Sequence, residues 1–264
     1  MDYDYATWDK DKIERVHTQF LKRILGCNFN TTTNMVRSEV GVRPLLVQII
    51  KQVITYVNSV KERKFSTVNT AFEFESKNNI IPNISTYIDK FNLNEENLID
   101  IRKQKLNKIC WDNYDRYWWG VVNDSPKAIS FVMFKRSVCI EKYLHQVNNK
   151  KNKKALSRFR LSNHSLMIEK GRHQRPRIER NERKCFICKD KVEDEIHFVI
   201  NCPLYTDERD ILFQVCRQNC IHFDALTTDA QKFIFIMTNE NPGVTRSLAK
   251  FIYNSFKIRE EVIS

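Results

Sequence analysis

The sequence predicts an all-α fold: a multi-helical bundle that carries one small cysteine–histidine knuckle and continues into C-terminal helices. Three observations lead there. Glycine and proline are scarce, five and six in 264 residues, which disfavours a strand-and-turn architecture. Apolar residues recur at three- and four-residue intervals over most of the chain. Three cysteines and a histidine stand together as C-x2-C-x8-H-x4-C, from Cys185 and Cys188 through His197 to Cys202.

Taken in order, Asp11 to Leu25 reads as a helix. Ile13, Val16, Phe20, Leu21 and Ile24 form its apolar face, and Gly26 is a stop. Thr31-Thr32-Thr33 offers N-caps for a short helix that Gly41 ends. Pro44 suits a first helical turn, and Leu45, Leu46, Ile49, Ile50, Val53, Val57 and Val60 carry a stripe on to about Lys64. Further helices are expected over 67–77, over 86–91, and from Asn94 to Trp119. In the last of these Trp111, Tyr114, Tyr117, Trp118 and Trp119 read as core packing. A long helix is expected from Asp124 or Ser125 through Ile129, Val132, Met133, Ile140 and Leu144. Asn148 to Lys153 is the best internal linker. This divides the chain into a helical region at 1–149, a basic arm at 150–184, a knuckle at 185–205 and C-terminal helices at 206–264. Those helices start near Thr206, Thr228 and Val244.

The knuckle is the most specific chemical signal. Three thiols and an imidazole at this spacing can surround one Zn²⁺ as a closed, tetrahedral, structural site. A short helix over Glu193 to Asn201 carries His197, and Cys202 lies just past its end, where Pro203 stops the helix. With all four positions filled by protein, no place is left for an activated water. The competing reading is disulfides among the eight cysteines. No secretory h-region is evident, and a chain of this size needs no staples, so a reducing nuclear or cytoplasmic setting is expected. Cys216, Cys220 and His222 lack a fourth ligand and are not read as a second site.

Charge is concentrated. Between Lys150 and Lys184 there are thirteen cations and three anions, so +10 of the net +12 sits in the segment that leads into the knuckle. Such a stripe is the footprint of a polyanion partner, RNA or DNA, against the plainer reading of a solvated linker. Arg158, Arg160, Arg172, Arg175 and Arg177 are the leading phosphate contacts, because guanidinium forks match phosphate oxygens. His164, in an Asn-His-Ser turn, is either a structural hydrogen-bonding group or a backbone contact. Phe186, between two metal ligands, can stack on an unpaired base or pack on the knuckle helix. No apolar run reaches the roughly 18 residues a membrane span needs.

Several pieces then line up in order: Ile13-Glu-Arg-Val-His through Phe20-Leu-Lys to Gly26, Glu39-Val-Gly-Val-Arg-Pro44-Leu, and Phe134-Lys to Glu141-Lys-Tyr-Leu144. Leu156-Ser-Arg-Phe-Arg-Leu-Ser-Asn-His164 through Gly171-Arg172 follows, then Val192-Glu-Asp-Glu-Ile-His197-Phe and Cys202-Pro-Leu-Tyr205. Over nearly its whole length the chain resembles the C-terminal portion of non-LTR (LINE-type) retrotransposon reverse transcriptases, downstream of the palm. The knuckle is similar to the zinc-binding region of those proteins. The resemblance implies a nucleic-acid-binding accessory region. It also implies that fingers, palm and any endonuclease lie outside the chain. The paired aspartates that hold Mg²⁺ in that family are absent, and so are G-x4-G-K, G-x-S-x-G and H-E-x-x-H. A non-enzymatic chain is therefore expected. The alternative is a protein-interaction scaffold that docks on a polymerase core supplied by another chain.

Overall fold

The computed structural model describes residues 5–62, 67–78 and 103–263. It is helical throughout, with only two isolated β-bridges among the described residues. The helices are α1 (Tyr5–Trp8), α2 (Lys12–Leu25), α3 (Thr33–Glu39), α4 (Leu45–Glu62), α5 (Thr67–Lys77) and α6 (Lys103–Asn123). They continue as α7 (Phe131–Phe134), α8 (Tyr143–Gln146), α9 (Lys150–Arg160), α10 (Met167–His173), α11 (Thr206–Asn219), α12 (Asp229–Thr238) and α13 (Pro242–Ile263). The helix expected over 86–91 and the start of the one at Asn94 lie outside the described residues. No described helix is long and apolar enough to cross a membrane.

The chain divides into two compact units, one made of 1–18 and 42–121, the other of 19–41 and 122–264. In the first, α4 buries Leu46, Val47, Ile50, Ile54, Val57 and Val60, the stripe read from the sequence. From α6 it buries Leu106, Cys110, Tyr114 and Trp118, with Tyr5 edge-on to Tyr114 at 5.3 Å between ring centroids. Trp111 instead stays 40% exposed, and the Arg43 guanidinium lies 4.8 Å from its ring centroid.

The helix α2 forms where expected but turns the other way. Ile13, Val16, Phe20 and Ile24 are 56, 68, 61 and 59% exposed, while Glu14, Thr18, Leu21, Lys22 and Leu25 are buried. The polar members of the buried face are satisfied. Glu14 accepts from Trp8 Nε1 at 2.7 Å and from the Leu45 backbone N–H at 2.8 Å, and Lys22 donates to the Phe29 carbonyl at 2.8 Å. A buried carboxylate with such donors is tolerated, so hydrophobic periodicity alone does not choose the face. The stop at Gly26 holds: φ is +67°, Cys27 N donates to Lys22 O, and Gly26 N donates to Arg23 O, closing a Schellman motif.

In the second unit the core is built on α13, which packs along α9 and α11. Two expectations change here. The long helix from 125 to 144 is instead two single turns, α7 and α8, joined by an extended segment. The reasons are specific contacts. Ser130 spends its hydroxyl on Glu195, at 2.7 Å. Lys135 is buried and donates to the Cys139 carbonyl and to Glu141. Ile140 pairs with Val40 as a β-bridge. That close approach is why Gly41 has no side chain: a Cβ there would come within 2.4 Å of Ile140 N.

The expected linker at Asn148 to Lys153 is the start of α9, and the 149/150 division falls inside the second unit. Asn149 is an N-cap whose side chain accepts from Lys151 N and Asn152 N. The 150–184 segment is thus folded helix and loop, held by Leu156, Phe159, Leu161, Leu166 and Ile168 in the core.

Candidate metal centre and basic cavity

The knuckle begins as a narrow hairpin. Lys184 and Val192 form a bridge, Cys185 N donates to Lys191 O at 2.8 Å, and Glu193 N donates to Arg183 O at 2.9 Å. Within it Lys189 takes a left-handed φ of 61°, and its N–H reaches back to Cys185 O at 2.7 Å, which folds the C-x2-C pair onto one point. The following helix starts with Asp194, whose carboxylate accepts from His197 N at 2.9 Å. It then widens: His197–Asn201 winds as a π-helical turn, and Cys202 N donates to His197 O at 2.8 Å. The i→i+5 bond of that wider turn brings the residues at 197 and 202 toward one side.

As a result the four ligand atoms lie within 4.8 Å of one another. Cys185 Sγ to Cys202 Sγ is 3.9 Å, and Cys188 Sγ to His197 Nε2 is 3.5 Å. Metal–ligand bonds of about 2.0–2.3 Å in a tetrahedron give ligand–ligand edges of about 3.5–3.8 Å, so the set fits one metal ion. Electrostatics agree. Burial, with the neighbouring Cys185 and Cys188 thiols adding to it, pushes the Cys202 thiol up to about 12. A divalent cation reverses that, because thiols coordinate as thiolates. Burial also holds His197 toward its neutral form, the form that ligates. Among the described residues this is the one such metal-ligating cluster.

A buried polar network fixes the centre. Glu193 accepts from Met167 N at 2.7 Å and from Arg259 Nη2 of α13 at 2.7 Å. Glu195 accepts from Ser130 at 2.7 Å and faces His164 Nε2 at 3.1 Å; His164 and Ser130 hold it down at about 2 against its burial. Arg209 Nη1 donates to Cys202 O at 2.9 Å. Arg183 donates to the carbonyls of Ile168 and Ile178 at 2.8 and 3.0 Å, and its stem passes over Gly171, where a Cβ would meet it at 2.7 Å.

The expected nucleic-acid residues divide. Arg160 is corrected outright: its side chain is 3% exposed, paired with Glu39 and, at 2.8 Å, with Glu141, and it donates to Met237 O at 2.9 Å. A guanidinium so engaged has no fork left for phosphate. His164 is also a packing group, 1% exposed in its side chain, bonded to Glu195 and stacked on Phe256. Arg172 is partly used by Glu169 at 2.9 Å and the Pro126 carbonyl at 2.6 Å. Phe186 is half-buried, with the Arg259 guanidinium 4.9 Å from its ring centroid. Arg175 and Arg177 are exposed.

Arg158 opens onto a feature that the sequence reading missed. A cavity of about 610 Å³ lies in the second unit between α9, the 163–165 turn and α13. From α9 it is lined by Lys151, Lys154 and Arg158, one i, i+3, i+7 face. From α13 come Tyr253, Phe256 and Lys257, and Lys170 adds a fifth cation against the single carboxylate of Glu260. Lys151, Lys154 and Lys170 make no ion pair among the described residues. Two features seat Arg158 and Lys154. Asn163 Oδ1 accepts from Arg158 Nε at 3.3 Å and from Asn28 N at 3.1 Å, and the Lys154 stem runs over Gly26, within 2.6 Å of where a Cβ would stand. The basic spacing on 151–158 was a usable signal. The aromatic wall, a hundred residues later, had none.

Comparison with protein-family models, with curated proteins and with solved structures finds no match to this chain.

Proposed function

We propose that the chain is a non-catalytic nucleic-acid-binding module whose fold is locked by one structural Zn²⁺, of the kind that follows the polymerase core in non-LTR retrotransposon reverse transcriptases. The observation that carries the reading is the cavity. Five cations face one carboxylate there, and three of the lysines make no ion pair among the described residues. Clustered charge left unpaired in a concave site costs stability through self-repulsion, and a polyanion relieves it. Arg175 and Arg177 are further exposed cations of the same 150–184 segment. The metal is zinc because a three-thiolate, one-imidazole tetrahedron with no open position is a structural zinc set. Its part is to hold Glu193 and Glu195 where Arg259 and His164 meet them, and those two side chains stand beside the cavity's 163–165 wall.

The test is a salt titration of RNA and DNA binding by the zinc-loaded chain without any protein partner. If all five cations meet phosphates, log affinity falls with log salt at a slope of about −3.5 on single strands. A flat titration removes the reading. Primer extension by the chain alone is expected to give no product. A second reading, docking on a polymerase core from another chain, is favoured by one observation: α2 shows water Ile13, Val16, Phe20 and Ile24. Binding of nucleic acid that requires an added polymerase core would favour it.

A further inference from the structure

We propose that the cavity receives one unstacked nucleotide of a single-stranded polynucleotide, its base against Tyr253 and Phe256 and the flanking phosphates on the α9 cations. The inference rests on the nucleic-acid reading and narrows it to a strand form and a contact. At about 610 Å³ the cavity lies within the range of about 300–1,000 Å³ typical of ligand sites. Its two long walls differ in chemistry. On α9 the residues 151, 154 and 158 are all cations, while α13 presents Tyr253 and Phe256 one turn apart with Lys257 beside them.

Aromatic faces inside a concave basic site suit a base that has left its stack, because the faces of bases in a duplex are already covered by their neighbours. The aromatic wall is also rigid before any ligand arrives. Phe256 stacks on Phe198 at 4.8 Å and on the His164 ring at 6.2 Å, and His164 is tied to the buried Glu195. Little order is then lost on binding. Tyr253 is only half-buried, with Lys257 Nζ 5.1 Å from its ring centroid. That ammonium lies over one face of the ring, so a cation already stands at the aromatic surface and the other face is the one a base would take. The cations favour a strand over a free nucleotide. From Lys151 to Arg158 they extend about 10 Å along α9, further than one phosphate requires.

The experiment measures the affinity of the zinc-loaded full chain by fluorescence anisotropy for a labelled 12-nucleotide strand, in RNA and in DNA form. The comparisons are a fully abasic strand of equal length, the matching duplex, and competition by adenosine monophosphate. The intact strand is expected to bind at least about tenfold tighter than the abasic strand or the duplex, and the mononucleotide to compete poorly. Tyr253→Ala is expected to weaken the intact strand roughly 5- to 150-fold and the abasic strand less than about twofold, while Tyr253→Phe keeps the affinity. Melting curves of the variants establish folding, and Lys154→Gln, away from the aromatic wall, should lower the single-strand salt slope by about 0.7. Equal affinity for intact strand, abasic strand and duplex overturns the inference but leaves the nucleic-acid reading standing. So does an equal loss on intact and abasic strands in Tyr253→Ala. Full competition by the mononucleotide overturns it as well. No binding of any strand removes both.

Discussion

The metal centre and the basic cavity belong to one compact unit and are assembled in opposite ways. The centre draws its four ligands from eighteen consecutive positions, Cys185 to Cys202, and the carboxylates around it have partners: Glu193 the Arg259 guanidinium, Glu195 the Ser130 hydroxyl and the His164 ring. The cavity draws on Asn28, α9, the 163–165 turn and α13, and leaves Lys151, Lys154 and Lys170 without an ion pair among the described residues. Paired buried charge specifies a structure, and unpaired clustered charge stores an attraction for something else. On the reading proposed above, the difference separates residues that hold the fold from residues that meet a ligand, although both kinds are cationic.

The strongest way to break the comparison is at the metal. Cys188→Ser, or exhaustive chelation, is expected to destabilise the second unit by at least about 3 kcal/mol, since structural zinc supplies about 10–16 kcal/mol in small fingers. A loss of roughly 6–12 °C in Tm would follow. Thermal melts with metal analysis check this, and an unchanged Tm in zinc-free protein would remove the structural role. Next in size is Arg160→Leu, which leaves Glu39 buried and unpaired and should cost about 3–5 kcal/mol by denaturant titration. Its near neighbour Arg158→Gln should cost under about 0.5 kcal/mol yet reduce the salt slope on single strands by about 0.7. If the two arginines behaved alike in stability and in binding, the division into holding and meeting residues would fail. Gly171→Ala should lower stability by about 1–3 kcal/mol by displacing the Arg183 stem, with the strand-binding slope unchanged. The smallest signal is chemical: a chelator should make one additional thiol, the half-buried Cys188, reactive in native protein by a thiol-counting assay, with Cys185 and Cys202 still covered.

How much of this was readable beforehand follows the same division. The four ligands were legible because metal chemistry fixes residue type and spacing locally. The helices were mostly legible too, with Gly26 acting as the expected stop and Thr228 opening an expected helix, while the Asn149 cap stood in a stretch read as linker. Facing was not. Arg158 and Arg160 are two positions apart, about 200° around a helix, so one points out and the other in, and sequence does not say which. The same ambiguity turned α2 over, because the periodicity that gave Ile13, Val16, Phe20 and Ile24 also gave Glu14, Thr18, Leu21 and Leu25. What decided it was whether Glu14 found donors, and those came from Trp8 and Leu45. The long helix expected past residue 125 failed for a related reason. Ser130 and Glu141 are drawn to partners far along the chain, Glu195 and Glu39, and no local propensity registers that pull. The cavity needs α9 against α13, a pairing across a hundred residues.

The reach of Arg259 into the knuckle has a consequence for how the molecule is made. Cys202 completes the ligand set, but the guanidinium that neutralises Glu193 lies 57 residues later, 259 less 202. At translation rates of about 5–20 residues per second, that interval lasts roughly 3–11 s. During it, a nascent chain can capture its ion while the carboxylate next to it still lacks its counter-charge. The set that can hold a metal ion is therefore complete on the ribosome before the helix that carries Arg259 has been made.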